Sequence, residues 1–115
     1  MTGGAAVLDI IAPIVINGND IYVGGLGDAY CRINKSNGNK KWCTGIGVGL
    51  PFVITENVSF VLSTNKTLYA INNKDGSIHW DVNDIREQIA PVYNDGIISV
   101  GSQKFNATNG KLINK

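Results

Sequence analysis

The sequence predicts an all-β fold assembled from a repeated, four-stranded antiparallel meander. Three observations carry that reading. Residues recur at a fixed offset of 38 positions, short β-rich runs alternate with turn residues, and helical periodicity is largely absent. The offset links Pro13 to Pro51, Tyr22 to Phe60, Val23 to Val61, Ile33 to Ile71, Asn34 to Asn72, Gly38 to Gly76 and Trp42 to Trp80. It holds without a gap between residues 13–42 and 51–80.

Each unit divides in the same order. Residues 1–12 stand ahead of Pro13 as CTGIGVGL and DVNDIREQIA stand ahead of Pro51 and Pro91. They read as a segment between units or a strand of a preceding one. The first unit, 13–50, opens with PIVI, turns at Asn17-Gly18, and continues through DIYVGG. LGD turns the chain again, and AYCRIN alternates with period 2, as a half-buried strand does. Asn37-Gly38 then supplies residues that tolerate positive φ, and the last strand ends on Trp42.

The second unit, 51–90, repeats this plan. PFVI, VSFVLS and LYAIN are its strands, separated at Glu56-Asn57 and TNK. Asp75-Gly76 and Trp80 follow. Asp84 to Glu87 has two readings, a capping box on one helical turn that brings Ile85 and Ile89 together, or a connecting loop. The third unit, 91–115, is shorter. Pro91 to Gly110 spans 19 positions, against 25 from Pro13 to Gly38. The losses are assigned mainly to turns around Gly101–Ser102 and Thr108–Asn109. No tryptophan follows Gly110.

A small twisted sheet has two faces and cannot cover both alone. Stacking such sheets as blades about an axis buries the faces against each other, which is the β-propeller solution. The expected fold is therefore a β-propeller fragment of about three four-stranded antiparallel blades. Three blades do not close a ring. Each tryptophan is expected on an outer strand, its indole over the neighbouring blade or the adjacent hairpin, with a partner for its N–H.

The stretch LYAINNKDGSIHW, residues 68–80, resembles the tryptophan-docking repeat of quinoprotein-type (PQQ-like repeat) β-propellers. Leu68, Tyr69, Ala70, Ile71, Gly76 and Trp80 match that pattern. Tyr30, Ile33, Gly38 and Trp42 match in the first unit, where Cys31 and Arg32 replace the usual Tyr-Ala. The third keeps Phe105, Ala107, Thr108, Asn109, Gly110 and Lys111. The opening of the first unit is similar too, through Pro13, Val15, Gly18, Tyr22, Val23 and Gly24. The resemblance implies a parent of seven or eight blades. It also implies that Tyr30, Gly38, Trp42, Tyr69, Ala70, Gly76, Trp80 and Gly110 are structural repeat residues, not quinone ligands.

Two branches of that family bear on function. One holds pyrroloquinoline quinone and calcium in alcohol or sugar dehydrogenases. The other is non-enzymatic, and includes a lipoprotein scaffold that assists insertion of barrel proteins into the bacterial outer membrane. The first branch implies adjacent cysteines, a carboxylate base and oxygen ligands for the metal. Cys31 and Cys43 are not adjacent, and the acidic residues fall mostly at turns, where carboxylates satisfy backbone N–H groups. The expectation is thus a protein-binding scaffold and not an enzyme. No catalytic, cofactor or metal residues are assigned. The resemblance implies a protein partner in an envelope assembly complex, at the periplasm or the periplasmic face of the outer membrane. A fragment of a quinone-dependent dehydrogenase and a propeller of another role are the alternatives.

Composition narrows the classes further. In 115 residues, ten Lys/Arg against nine Asp/Glu give a net charge of +1 with no polybasic footprint, so nucleic acid is not an expected partner. No apolar run is long enough for a transmembrane helix. His79, the sole histidine, precedes Trp80 and should face away from it. GGLGD, residues 24–28, lacks the ending and following helix of a phosphate loop and reads as a hairpin turn. Asn57, Asn65 and Asn106 open glycosylation triplets of the kind an asparagine-rich chain contains by chance. Cys31 and Cys43 flank the Asn37-Gly38 turn symmetrically. A regular hairpin would oppose them, so either a disulfide in an oxidising compartment or a buried pair of free thiols fits. Unpaired blade faces would favour self-association.

Overall fold

A computed structural model describes residues 13–25 and 28–113, so the reading of residues 1–12 lies outside the described part. Among the described residues all regular structure is strand. The first sheet runs β1 (Ile14–Asn17), β2 (Asp20–Val23), β3 (Tyr30–Asn34) and β4 (Lys40–Thr44), in that spatial order. The second runs β5 (Val53–Ile54), β6 (Val58–Leu62), β7 (Leu68–Asn72) and β8 (Ile78–Val82). The third holds β9 (Val92–Asn94), β10 (Ile97–Val100) and β11 (Gln103–Asn106). Every neighbouring pair is antiparallel. A bridge from Phe105 to Leu112 stands where β4 and β8 stand in the other sheets. The architecture is that of a partial propeller.

Period-2 alternation explains how the sheets stack. On β6 and β7, Phe60, Leu62, Leu68 and Ala70 turn toward the third sheet and pack with Ile98, Val100 and Phe105. Val61 and Ile71, one residue out of phase, turn the other way and join Tyr22, Tyr30, Val48 and Phe52. The middle sheet therefore has two apolar faces, each covered by a neighbour. Burying a side chain of this size removes it from water for roughly 1.5–3 kcal/mol. Two connections seal the stack. Residues between β4 and β5 insert Ile46, Val48 and Phe52, and Val48 bridges to Ser63.

The connection after β8 settles the reading of Asp84 to Glu87. It is a loop, with Asp84 at φ 61° and no helical turn. Ile85 is buried in the core between the second and third sheets while Ile89 is exposed, so the two do not pair as a helical turn would have them. Glu87 does not cap its own segment. Its Oε1 accepts from Ser102 N at 2.9 Å, across in the third sheet.

Register corrects the placement of the third unit's losses. Val58 pairs with Asn72 and Ile97 with Asn106, so five residues are missing from the hairpin that turns at Gly101–Ser102. The turn at Thr108–Asn109 loses none. Gly110 N donates to Asn106 O, just as Gly76 N donates to Asn72 O and Gly38 N to Asn34 O. Phe105 is therefore the counterpart of Ile71.

Candidate functional site

The chemistry of this chain concentrates at the two junctions between sheets, and each is organised by a tryptophan. Trp42, on β4, lies across the Gly76 turn of the next sheet. A Cβ on Gly76 would sit 2.7 Å from the indole. Trp80, on β8, lies across Gly110, where a Cβ would sit 2.6 Å away. Both glycines also have positive φ, 79° and 76°. A side chain there would meet strain and collision together. The indole N–H is met each time by a backbone carbonyl. Trp42 Nε1 donates to Asn73 O at 2.8 Å and Trp80 Nε1 to Ala107 O at 3.1 Å. Gly38 shares the positive φ, at 75°, but has nothing within 4 Å of a Cβ among the described residues.

Beneath Trp42 the junction is polar and filled. Arg32 faces Trp42 across β3 and β4. Its Nη1 donates to Asn73 O and its Nη2 to Asp20 Oδ2, both at 2.6 Å. The guanidinium carbon lies 5.6 Å from the Tyr22 ring centre, a cation–π distance. Lys41 Nζ approaches Asp20 Oδ1 at 2.7 Å. The Arg32 hydrogen bond, helped by Lys41, holds the Asp20 carboxyl down at about 2. Deeper in, Tyr30 Oη donates to Ser59 Oγ at 2.7 Å, Ser59 Oγ donates to Asn73 Oδ1, and Asn73 Nδ2 donates to Thr55 O at 2.9 Å. Burial pushes the Tyr30 phenol well above its usual range. Its ring packs on Trp42 at 5.6 Å and edge-on to Phe52 at 4.9 Å.

Beneath Trp80 the same positions are apolar, and space remains. Ala70 faces Trp80 where Arg32 faces Trp42. Val58 takes the place of Asp20, Leu68 of Tyr30, Ile98 of Ser59 and Ala107 of Asn73. The result is a cleft of about 520 Å³ bounded by Phe60, Ala70, Trp80, Tyr93 and Ala107, with Glu56 and His79 also on its wall. The Phe60 and Tyr93 rings are stacked, 5.8 Å apart at 11°.

Other residues singled out from the sequence lie as follows. Tyr69 is half-buried and packs beside the core between the first and second sheets, and Ala70 is fully buried. Cys31 and Cys43 are directly opposed on β3 and β4, with Cα atoms 4.1 Å apart, and are joined in a disulfide. Cys31 is buried and Cys43 exposed. His79 is exposed. The cleft was not foreseen from the sequence, though its signal was present. Arg32 and Ala70 are 38 residues apart, as are Asp20 and Val58, so the repeat itself marks where one junction lost its charges.

Among the described residues no three of His, Cys, Asp or Glu gather as metal ligands. The cysteines are joined across strands and are not neighbours in sequence. These residues do not fit a site for a quinone and its calcium.

Strand order and docked tryptophans define a PQQ-like repeat β-propeller. The match is to the family model of outer membrane protein assembly factor BamB, over residues 5–113, and the chain belongs to that family. A search of the curated proteins returns no match. Among solved structures, BamB from Moraxella catarrhalis superposes with a TM-score of 0.72 at 14% identity, over 89% of this chain and 34% of that one. The quinohemoprotein alcohol dehydrogenase of Comamonas testosteroni gives 0.72 at 16%, over 87% of this chain and 20% of that one. The quinohemoprotein alcohol dehydrogenase ADHIIG of Pseudomonas putida HK5 gives 0.71 at 14%, over 86% and 19%. The chain thus spans about a third of BamB and a fifth of the dehydrogenases.

The expectation that the chain is not an enzyme is corrected by these matches. Two alcohol dehydrogenases share its fold as closely as BamB does. The fold is common to both, so it does not separate enzyme from non-enzyme.

Proposed function

We propose that this chain is a protein-binding segment of an envelope propeller that takes part in outer-membrane protein assembly. The observation that carries this reading is the family match across residues 5–113. The stack supports it physically. Three sheets held by repeated indole docking make a rigid array, and rigid arrays present their turns and edges as binding surfaces. Ile14, Ile16, Val92 and Tyr93 are exposed and apolar, and offer area to a protein partner or to a second copy. In this reading 13–50, 51–90 and 91–115 are the building units, and the site of action is the periplasm or the periplasmic face of the outer membrane. Affinity purification of the full-length protein from its native envelope tests it. A barrel-assembly component should be recovered in stoichiometric amount. Recovery of a different stable partner in its place would overturn the assignment.

A second reading has a specific observation in its favour, the equal fold match to two alcohol dehydrogenases. Here the chain would be the structural part of a quinone-dependent enzyme, and blades outside it would hold the cofactor. Calcium and pyrroloquinoline quinone should then restore dye-linked alcohol oxidation to the intact protein. Absence of turnover in the reconstituted protein would remove this reading for those substrates.

A further inference from the structure

We propose that the cleft beneath Trp80 receives an arginine side chain from a partner protein. The first junction supplies the template. There Arg32 extends beneath the docked indole, lies over the Tyr22 ring and donates to the Asn73 carbonyl that also accepts from Trp42. That carbonyl uses both lone pairs, one for each donor.

The second junction keeps the aromatic ring, the indole and the carbonyl and lacks the arginine. Phe60 stands where Tyr22 stands, Trp80 where Trp42 stands, and the Ala107 carbonyl where the Asn73 carbonyl stands. Ala107 O accepts from Trp80 Nε1 at 3.1 Å as Asn73 O accepts from Trp42 Nε1, and like Asn73 O it has a second lone pair to offer a further donor. Replacement of Arg32 by Ala70 opens the cleft of about 520 Å³. The carboxylate of Asp20 is replaced by Val58, but Glu56 brings another carboxylate to the cleft wall. Tyr93 adds a second ring, stacked with Phe60.

Guanidinium fits this set better than ammonium. It is planar and weakly hydrated, and it lies on aromatic faces while its edge donates to a carbonyl and a carboxylate. The cleft also lies beside the β5–β6 turn at Thr55–Asn57 and the turn at Gly96, where a side chain from outside can enter. The proposal deepens the scaffold reading, on which it rests for the carrier of the arginine, by naming the side chain recognised.

The test uses the full chain, whose two tryptophans give two indole N–H signals. The peptide acetyl-Gly-Arg-Gly-amide is titrated against ¹⁵N-labelled protein, with the neutral citrulline analogue as control. The arginine peptide should move the Trp80 signal and leave the Trp42 signal in place. The citrulline peptide should bind about tenfold more weakly. Equal movement of both indoles, no movement of either, or equal binding of the two peptides would overturn the proposal. The double substitution V58D/A70R rebuilds the plug of the first junction and should abolish the Trp80 shift. A shift that persists in the folded double variant would also overturn it. Glu56→Gln, on an exposed turn, guards against misfolding of that variant and should weaken the arginine peptide about threefold. Unchanged affinity there counts against the site. The two readings fail separately, since peptide binding at Trp80 does not depend on which partner the envelope purification recovers.

Discussion

Trp42 and Trp80 meet the following sheet in the same way, yet the spaces beneath the two indoles have opposite chemistry. Each indole covers a glycine in the left-handed region and donates to one carbonyl. Below Trp42 lie an ion pair and a chain of buried hydrogen bonds. Below Trp80 lie alanine, leucine, isoleucine and an open cleft. The contact that sets sheet spacing is made by backbone and indole. The residues filling the gap beneath are left free to change. One scaffold can therefore carry a closed joint beside a receptive one.

The shared part of the comparison should give the largest effect. Gly76→Ala and Gly110→Ala each add left-handed strain and push a Cβ into an indole, and should each cost about 3–4 kcal/mol. Gly38→Ala adds the strain without the collision and should cost about 1 kcal/mol. Urea unfolding midpoints of the three variants measure this. A Gly38→Ala loss as large as the other two would break the claim that indole docking sets the cost.

The next effect belongs to the first sheet alone. The Cys31–Cys43 disulfide closes a hairpin at a sequence separation of 12. It should contribute about 3 kcal/mol by restricting the unfolded chain. Tris(carboxyethyl)phosphine should therefore lower the unfolding midpoint, and hydrogen exchange should quicken at the Trp42 indole more than at Trp80. Equal quickening at both would show that the two joints are not independent.

The smallest effect separates the joints by charge. The Asp20 carboxyl titrates near 2 in the folded protein, below its ordinary 3.8. Its ionised form is thus favoured by folding. The contribution is complete above about pH 4 and is lost as pH falls through 2. After allowance for solvent screening it is on the order of 1 kcal/mol. Acidification from pH 5 to pH 2 should loosen the Trp42 joint, read by its indole exchange, before the Trp80 joint, which has no carboxylate at the equivalent position. The reverse order would contradict this assignment.

Much of the architecture was legible because the repeat is gapless. Period-2 alternation marked AYCRIN as a half-buried strand, and the glycine–tryptophan spacing anticipated the docked indole. The third unit was harder to read. Its deleted hairpin and its intact last turn have similar turn-forming composition, and only register tells them apart. Asp84 to Glu87 carries the residue types of a helix cap, but burial of Ile85 and the reach of Glu87 to Ser102 decide the loop. The cleft was present in the sequence as a departure from pattern. Arg32 reads as a defect in a repeat until its guanidinium is seen occupying the place Ala70 leaves empty. Activity lay out of reach for a different reason, because the docking residues stabilise the fold whichever chemistry the rest of a propeller carries.

Each indole is handed forward, from a strand of one unit to a turn of the next, and never backward among the described residues. The joints therefore have a direction along the chain. During synthesis Trp42 leaves the ribosome before Gly76, and Trp80 before Gly110. The first and second sheets each wait with an uncovered indole until the next sheet arrives. Assembly is thereby vectorial, and an interruption between units leaves a sticky aromatic end on the nascent chain, the moment at which a chaperone would have most to grip.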